Sequence, residues 1–232
     1  MSGPVVGGYI ARVGILVLLR HGQASVGTSN YDRLSDNGRR QARLAGARLA
    51  AADLRFDRVI AGALTRQRDT ATEVMTELRL DERDLQLDDR LDEYDHLGMM
   101  DRQNSAVSFE TATSASSGRA LQSALDEAIA RWIAGEGGHY RENHADFLGR
   151  VIASVRELAA LPGSTLAVTS GGVIAAVCAQ LTGMPSDGWP ALAKVTVNAS
   201  ITKLIVGRSG VNLLTFNDHA HLEHDRALVT YR

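Results

Sequence analysis

The chain has a single cysteine, Cys178, among its 232 residues, so no disulfide can form within it. The flanking run Val173, Ile174, Ala175, Ala176 and Val177 is apolar, which predicts a buried, inert thiol. Lack of a disulfide framework suits a reducing compartment, and the protein is expected to be cytoplasmic. Excess charge is lacking too: 25 basic residues face 27 acidic ones, for a formal net charge of -2. No global basic field exists to attract nucleic acid or an anionic membrane. Aromatic residues make up only 5% of the chain, which also disfavours a nucleic-acid partner. Long hydrophobic runs are missing as well. The apolar stretch 13–19 ends at Arg20, is too short for a membrane span and lacks the layout of a secretory signal.

What is present is an ordinary globular composition, 44% hydrophobic and 22% charged, in a chain long enough to bury a core without staples. Residues 14–19 are continuously apolar, the pattern of a strand covered on both faces. Residues 35–52 follow as a helix that Ser35 can cap. A short strand is predicted at 56–61, a helix opening at Leu64 and Thr65 with Thr65 as its cap, and a short strand at 85–87. Residues 101–119 are rich in Ser, Thr, Ala and Gln and read as a mobile surface loop, a candidate lid. Helical spacing returns at Leu121, Leu125, Ile129, Trp132 and Ile133, and again from Leu148 to Ala159. Strand 165–169, a glycine turn and a helix ending near Gly183 come next. Residues 200–206 and 211–216 form a hairpin that is either a homodimer edge or a covered one. With no internal repeat and no compositional break, residues 1–232 are expected to form one domain. Its fold class is α/β, a three-layer α/β/α sandwich with a mostly parallel central sheet.

Three of the strands end at conspicuous sequences: Arg20-His21-Gly22-Gln23 after the first, Gly62-Ala63-Leu64-Thr65-Arg66 after the second and Ser170-Gly171-Gly172 after the third. Ligands of open α/β sheets sit at the carboxyl ends of strands, so these sequences should meet at one crevice. The last two also open helices, whose free N–H groups favour an anion.

Arg20-His21-Gly22 directly after an apolar strand resembles the signature of the histidine phosphatase (phosphoglycerate mutase-like) superfamily. Leu64-Thr65-Arg66 with Gln67, Thr70 and Ala71 resembles its second motif. Leu91-Asp92-Glu93 is similar to the segment carrying the acidic proton donor, Gly171-Gly172-Val173-Ile174 to the fourth motif, and residues 217–222 to a C-terminal signature. Together these motifs span residues 13–222. The resemblance implies a phosphatase acting on a small phosphorylated substrate, with His21 as nucleophile, Arg20 and Arg66 as phosphate ligands and Glu93 as proton donor, Asp95 being its competitor. Arginine suits the role because its fork matches phosphate oxygens. Imidazole can carry the phosphoryl group covalently, and a carboxyl can protonate the leaving oxygen and then activate water. With arginines and helix N-termini neutralising charge, neither metal nor cofactor is expected. The spacing of His219, His221 and His224 fits no common zinc pattern. Gln23, Ser25 and Asn30 are candidates for the substrate side by position alone.

One position departs from the superfamily's pattern. Ser170 stands where most members have a histidine that donates a hydrogen bond to the phosphoryl group. A serine hydroxyl can donate too, but carries no charge. Three readings follow. Ser170 works together with Gly171 and Gly172, or His96 or the remoter His221 enters the pocket, or catalysis is lost and a phosphate-binding module remains. Phosphoglycerate mutase activity is a further alternative, disfavoured because residues 88–119 supply few basic groups for a bisphosphate.

Overall fold

A computed structural model describes residues 14–25, 32–96, 98–99, 115–137, 139–208 and 210–231. Six strands form one sheet: β1 (Gly14–Arg20), β2 (Arg58–Ala61), β3 (Leu85–Leu87), β4 (Thr165–Thr169), β5 (Ile201–Gly207) and β6 (Gly210–Asp218). Their order is β3-β2-β4-β1-β5-β6. The first four of that order run parallel, β5 is antiparallel to β1, and β6 is antiparallel to β5. The sheet is therefore mostly parallel with an antiparallel margin, and β1 and β4 are central.

Helices cover both faces, and the strand sequences show why. Along β1, Val17 and Leu19 pack with helices α1 (Asp36–Ala51) and α2 (Thr65–Leu78). Leu16 and Leu18 pack with α3 (Ala115–Ile133), α4 (His144–Ala160) and α5 (Gly171–Thr182) on the other side. Alternate residues of a strand face opposite ways, so a strand buried on both faces must be apolar throughout. Cys178 lies in the α5 core, 1% exposed, and burial pushes its thiol up to about 12, in keeping with an inert role. The last helix, α6 (Trp189–Val195), is short and opens with Pro190 near its start.

Few aromatic residues are available, yet four of them sit together. Tyr94 stacks on Trp132 with ring centroids 5.4 Å apart and meets Phe147 and Trp189 edge-on at 5.7 and 5.4 Å. Both indole N–H groups are satisfied, Trp132 by the Glu142 carbonyl and Trp189 by Nε2 of His144. Buried aromatic rings of this kind need such partners for their polar atoms. The cluster fixes the segment that carries Glu93.

Several expected boundaries move. Helix α1 is capped by Ser35, whose side chain accepts the Gly38 N–H, as its sequence suggested. Thr65 is not the cap of α2: the cap position is Leu64, and its N–H is accepted by the side chains of Gln67 and Asp92. Strand β2 begins at Arg58 rather than residue 56, because the Asp57 N–H is taken by the Ser164 carbonyl outside the ladder. The loop expected at 101–119 ends sooner, since α3 already begins at Ala115; residues 101–114 lie outside those described.

Candidate active site

The carboxyl ends of β1, β2 and β4 meet at a cavity of about 290 Å³. Its inner end is lined by Arg20, His21, Arg66, Glu93, His96, Gly171 and Gly172. Its outer walls come from α3 (Gln122, Leu125, Asp126, Ile129), α6 (Pro190, Ala193, Lys194), Tyr94 and Tyr231.

His21 is pinned by its backbone. Its N–H goes to the Thr169 carbonyl at the end of β4, and its carbonyl accepts from Ala199 N–H and, at 3.3 Å, from the Asn198 amide. The side chain follows: Nδ1 lies 2.7 Å from the Gly22 carbonyl oxygen. A carbonyl only accepts, so Nδ1 carries the hydrogen and Nε2 keeps its lone pair. Arg66 Nε–H donates to that Nε2 at 3.2 Å. Burial, reinforced by the charges of Arg66 and Arg20, holds the imidazole well below its usual value, so it is neutral near pH 7. Gly22 is required for this geometry. A Cβ there would lie 2.3 Å from the Gly38 carbonyl oxygen, where α1 crosses beneath the loop.

Arg20 and Arg66 are 7% and 5% exposed. Arg20 Nη1 donates to the Thr196 carbonyl, and its backbone N–H to Ser200. Arg66 Nη1 forms a 2.6 Å ion pair with Asp32. Glu93 Oε2 accepts the Gly172 N–H at the start of α5, at 3.1 Å. Burial raises the Glu93 carboxyl above the usual range despite that bond and the two arginines. Gly172 is the second glycine with a steric reason, since a Cβ there would come within 2.3 Å of Glu93 Oε1 and 2.6 Å of the Tyr94 ring.

The structure thus brings together His21, Arg20, Arg66, Glu93, Gly171 and His96. It does not bring Ser170 to the cavity. That residue is fully buried, its hydroxyl accepts from Gln67 Nε2 at 2.9 Å, and it is absent from the lining. The imidazole that does enter is His96, held by a contact of Nδ1 with the Tyr94 carbonyl; burial and Arg66 push it down to about 4. His221 is elsewhere, with Nε2 3.1 Å from the Ala199 carbonyl. Gln23 is structural, its amide oxygen accepting from Ser35 and Asn37. Ser25 pairs through its N–H with Arg33 and does not line the cavity. Asn30 lies outside the described residues. Asp95 does not line the cavity either, which leaves Glu93 as the carboxyl of its inner end, with Asp126 on the outer wall.

Sequence reasoning missed the segment 196–200, whose Thr196, Asn198 and Ser200 are fully buried and hold Arg20 and His21. The C-terminal motif braces that segment. Asn217 accepts from Val197 N–H and donates to the Val195 carbonyl, while His219 Nδ1 contacts the Asn217 carbonyl. His219 and His221 each contact a main-chain carbonyl, and no group of potential metal ligands occurs among the described residues.

Comparison with known proteins agrees with this geometry. No curated protein matches the sequence. Among solved structures, mycobacterial hydrolase 1 is 29% identical, with a TM-score of 0.64 over 89% of this chain and 99% of that one. Mycobacterial glucosyl-3-phosphoglycerate phosphatase is 27% identical, with a TM-score of 0.62 over 88% and 98%. Bacillus stearothermophilus YhfR shares the fold at 21% identity, with a TM-score of 0.67 over 90% and 98%. The sequence profile of the histidine phosphatase superfamily (branch 1) matches residues 16–219, the span that carries every residue of the cavity's inner end, and the chain belongs to that superfamily.

Proposed function

We propose that the protein is a metal-independent phosphatase that hydrolyses small phosphate monoesters through a phosphohistidine on His21. The observation that carries this reading is the imidazole itself. It is neutral, with Nδ1–H fixed on Gly22 and the Nε2 lone pair at the cavity between two buried arginines. Nε2 attacks phosphorus and the ester P–O bond breaks. Its electron pair goes to the leaving oxygen, which takes the Glu93 proton. Glu93, now a carboxylate, removes a proton from water. The water oxygen attacks phosphorus, the P–N bond breaks and its pair returns to Nε2, releasing phosphate. Arg20, Arg66 and the Gly171 N–H at the start of α5 hold the phosphoryl oxygens, as transfer of this group is mostly positioning and charge stabilisation. His96 takes the role first expected of Ser170. An arriving phosphoryl dianion favours the protonated imidazole, which then donates to it from Nε2 while Nδ1 stays on Tyr94.

The rim supports hydrolysis over mutase chemistry. Lys194 is the cation that lines the cavity beyond the two arginines among the described residues, and it is paired with Asp126 at 2.8 Å. A bisphosphate would call for more. A non-catalytic binding module is the second reading, favoured by the retreat of Ser170. No helix among the described residues is long and apolar enough to cross a membrane. The buried lone cysteine supports a cytoplasmic setting.

The pH profile tests the assignment. His21 must be neutral to attack, so the acid limb of kcat/KM is expected well below the ordinary imidazole value of about 6.5. Glu93 must be protonated to donate, so activity falls as pH rises through its elevated value. In Glu93→Gln that alkaline limb disappears, whereas a limb from ionisation of the substrate phosphate, near pH ~6, persists. Rates are expected to be unchanged by a chelator. A chelator-sensitive rate, or an alkaline limb untouched in the variant, would count against these roles.

A further inference from the structure

We infer that Asp32 is a positioning residue for the phosphate site, holding the Arg66 guanidinium against His21. This rests on the reading of Arg66 as a phosphoryl ligand. The two carboxylate oxygens of Asp32 serve consecutive residues at the start of α2. Oδ2 accepts the Thr65 N–H at 2.8 Å, and Oδ1 accepts Arg66 Nη1 at 2.6 Å. The same guanidinium presents Nε to His21 Nε2 at 3.2 Å. A guanidinium is a rigid plane with fixed donor directions, so fixing Nη1 fixes where Nε is aimed. A backbone anchor on the neighbouring residue keeps the carboxylate from following a swing of the arginine.

Asp32 does not line the cavity, while Arg66 and His21 do, so it acts through the arginine rather than on the substrate. Its side chain is 35% exposed against 6% for Arg66, which places the carboxylate on the solvent side of a buried cation. Sequence alone offered no signal for this role, since Asp32 lies 34 residues from Arg66 and outside every recognisable motif.

The bland alternative is that Asp32 merely caps α2 through Thr65. A double-mutant cycle separates the two. The probe is orthovanadate binding by calorimetry, with aryl phosphate kcat/KM measured alongside. Asp32→Ala is expected to weaken both by up to about 10²-fold, the scale of an ångström's misplacement. In an Arg66→Ala background the same change is expected to have almost no effect, because the residue it positions is gone. Asp32→Asn keeps an acceptor for Thr65 and covers the case in which the alanine variant folds poorly. An equal loss in both backgrounds, or no loss with Arg66 present, would overturn the inference. Wild-type protein that binds neither vanadate nor phosphate would remove the phosphate site itself, and the inference with it.

Discussion

Replacing His21 by alanine is expected to lower phosphate release by ~10³-fold or more, a loss of at least about 4 kcal/mol of transition-state stabilisation. The imidazole presents its Nε2 lone pair at the cavity, beside Arg66 Nε, and is held neutral by burial and by two cations. Without it the two-step route through a covalent intermediate is closed, and water would have to attack the ester directly. The melting temperature should change little by comparison. His21's main-chain bonds to Thr169 and from Ala199 survive the substitution, and the side chain gives up only its contacts with Gly22 and Arg66. Steady-state rates on an aryl phosphate, read beside thermal unfolding, check this. Substantial turnover by a well-folded alanine variant would show that another group attacks phosphorus.

The second large effect is expected at Glu93, and its signature is dependence on the leaving group. An alkyl alkoxide is a poor leaving group unless protonated, so Glu93→Gln should reduce kcat/KM on an alkyl phosphate by ~10²–10⁴-fold. A nitrophenolate leaves without help, so kcat/KM on that ester should fall far less. Its kcat should still drop, because hydrolysis of the phosphoenzyme needs the same carboxyl as a base. A burst of nitrophenol followed by slow turnover would then appear. Glutamine preserves the acceptor for Gly172 N–H, so the helix start is undisturbed. Equal losses for both esters would assign Glu93 to binding rather than proton transfer.

Much of this arrangement was legible in the sequence because it is local. A strand buried on both faces leaves an unbroken apolar run, which is how β1 could be read. Residues at strand ends that open helices, such as Arg66 and Gly171, could be assigned to one crevice by topology alone. Ser35 could be read as a cap because its partner is three residues away. What escaped is held by distant partners. Arg20 reaches the Thr196 carbonyl and Arg66 the Asp32 carboxylate, and neither link leaves a periodic trace. Gln23 follows the first motif and looked like a substrate contact, but it does not line the cavity and its amide oxygen accepts from Ser35 and Asn37. Ser170 occupies the expected sequence position, yet Gln67 Nε2, which also donates to the Leu91 carbonyl, draws its hydroxyl away from the cavity. His96 reaches the cavity because the aromatic cluster around Tyr94 fixes its segment, and that cluster joins residues from 94 to 189.

The central claim is that the phosphoryl group passes through His21. The direct measurement is mass spectrometry of the Glu93→Gln protein quenched in alkali after mixing with an aryl phosphate. A phosphate adduct is expected on the peptide containing His21, stable to alkali, labile to acid and absent once His21 is also replaced. Turnover by the wild type with no adduct on His21 in either protein, or an adduct on another residue, would contradict it.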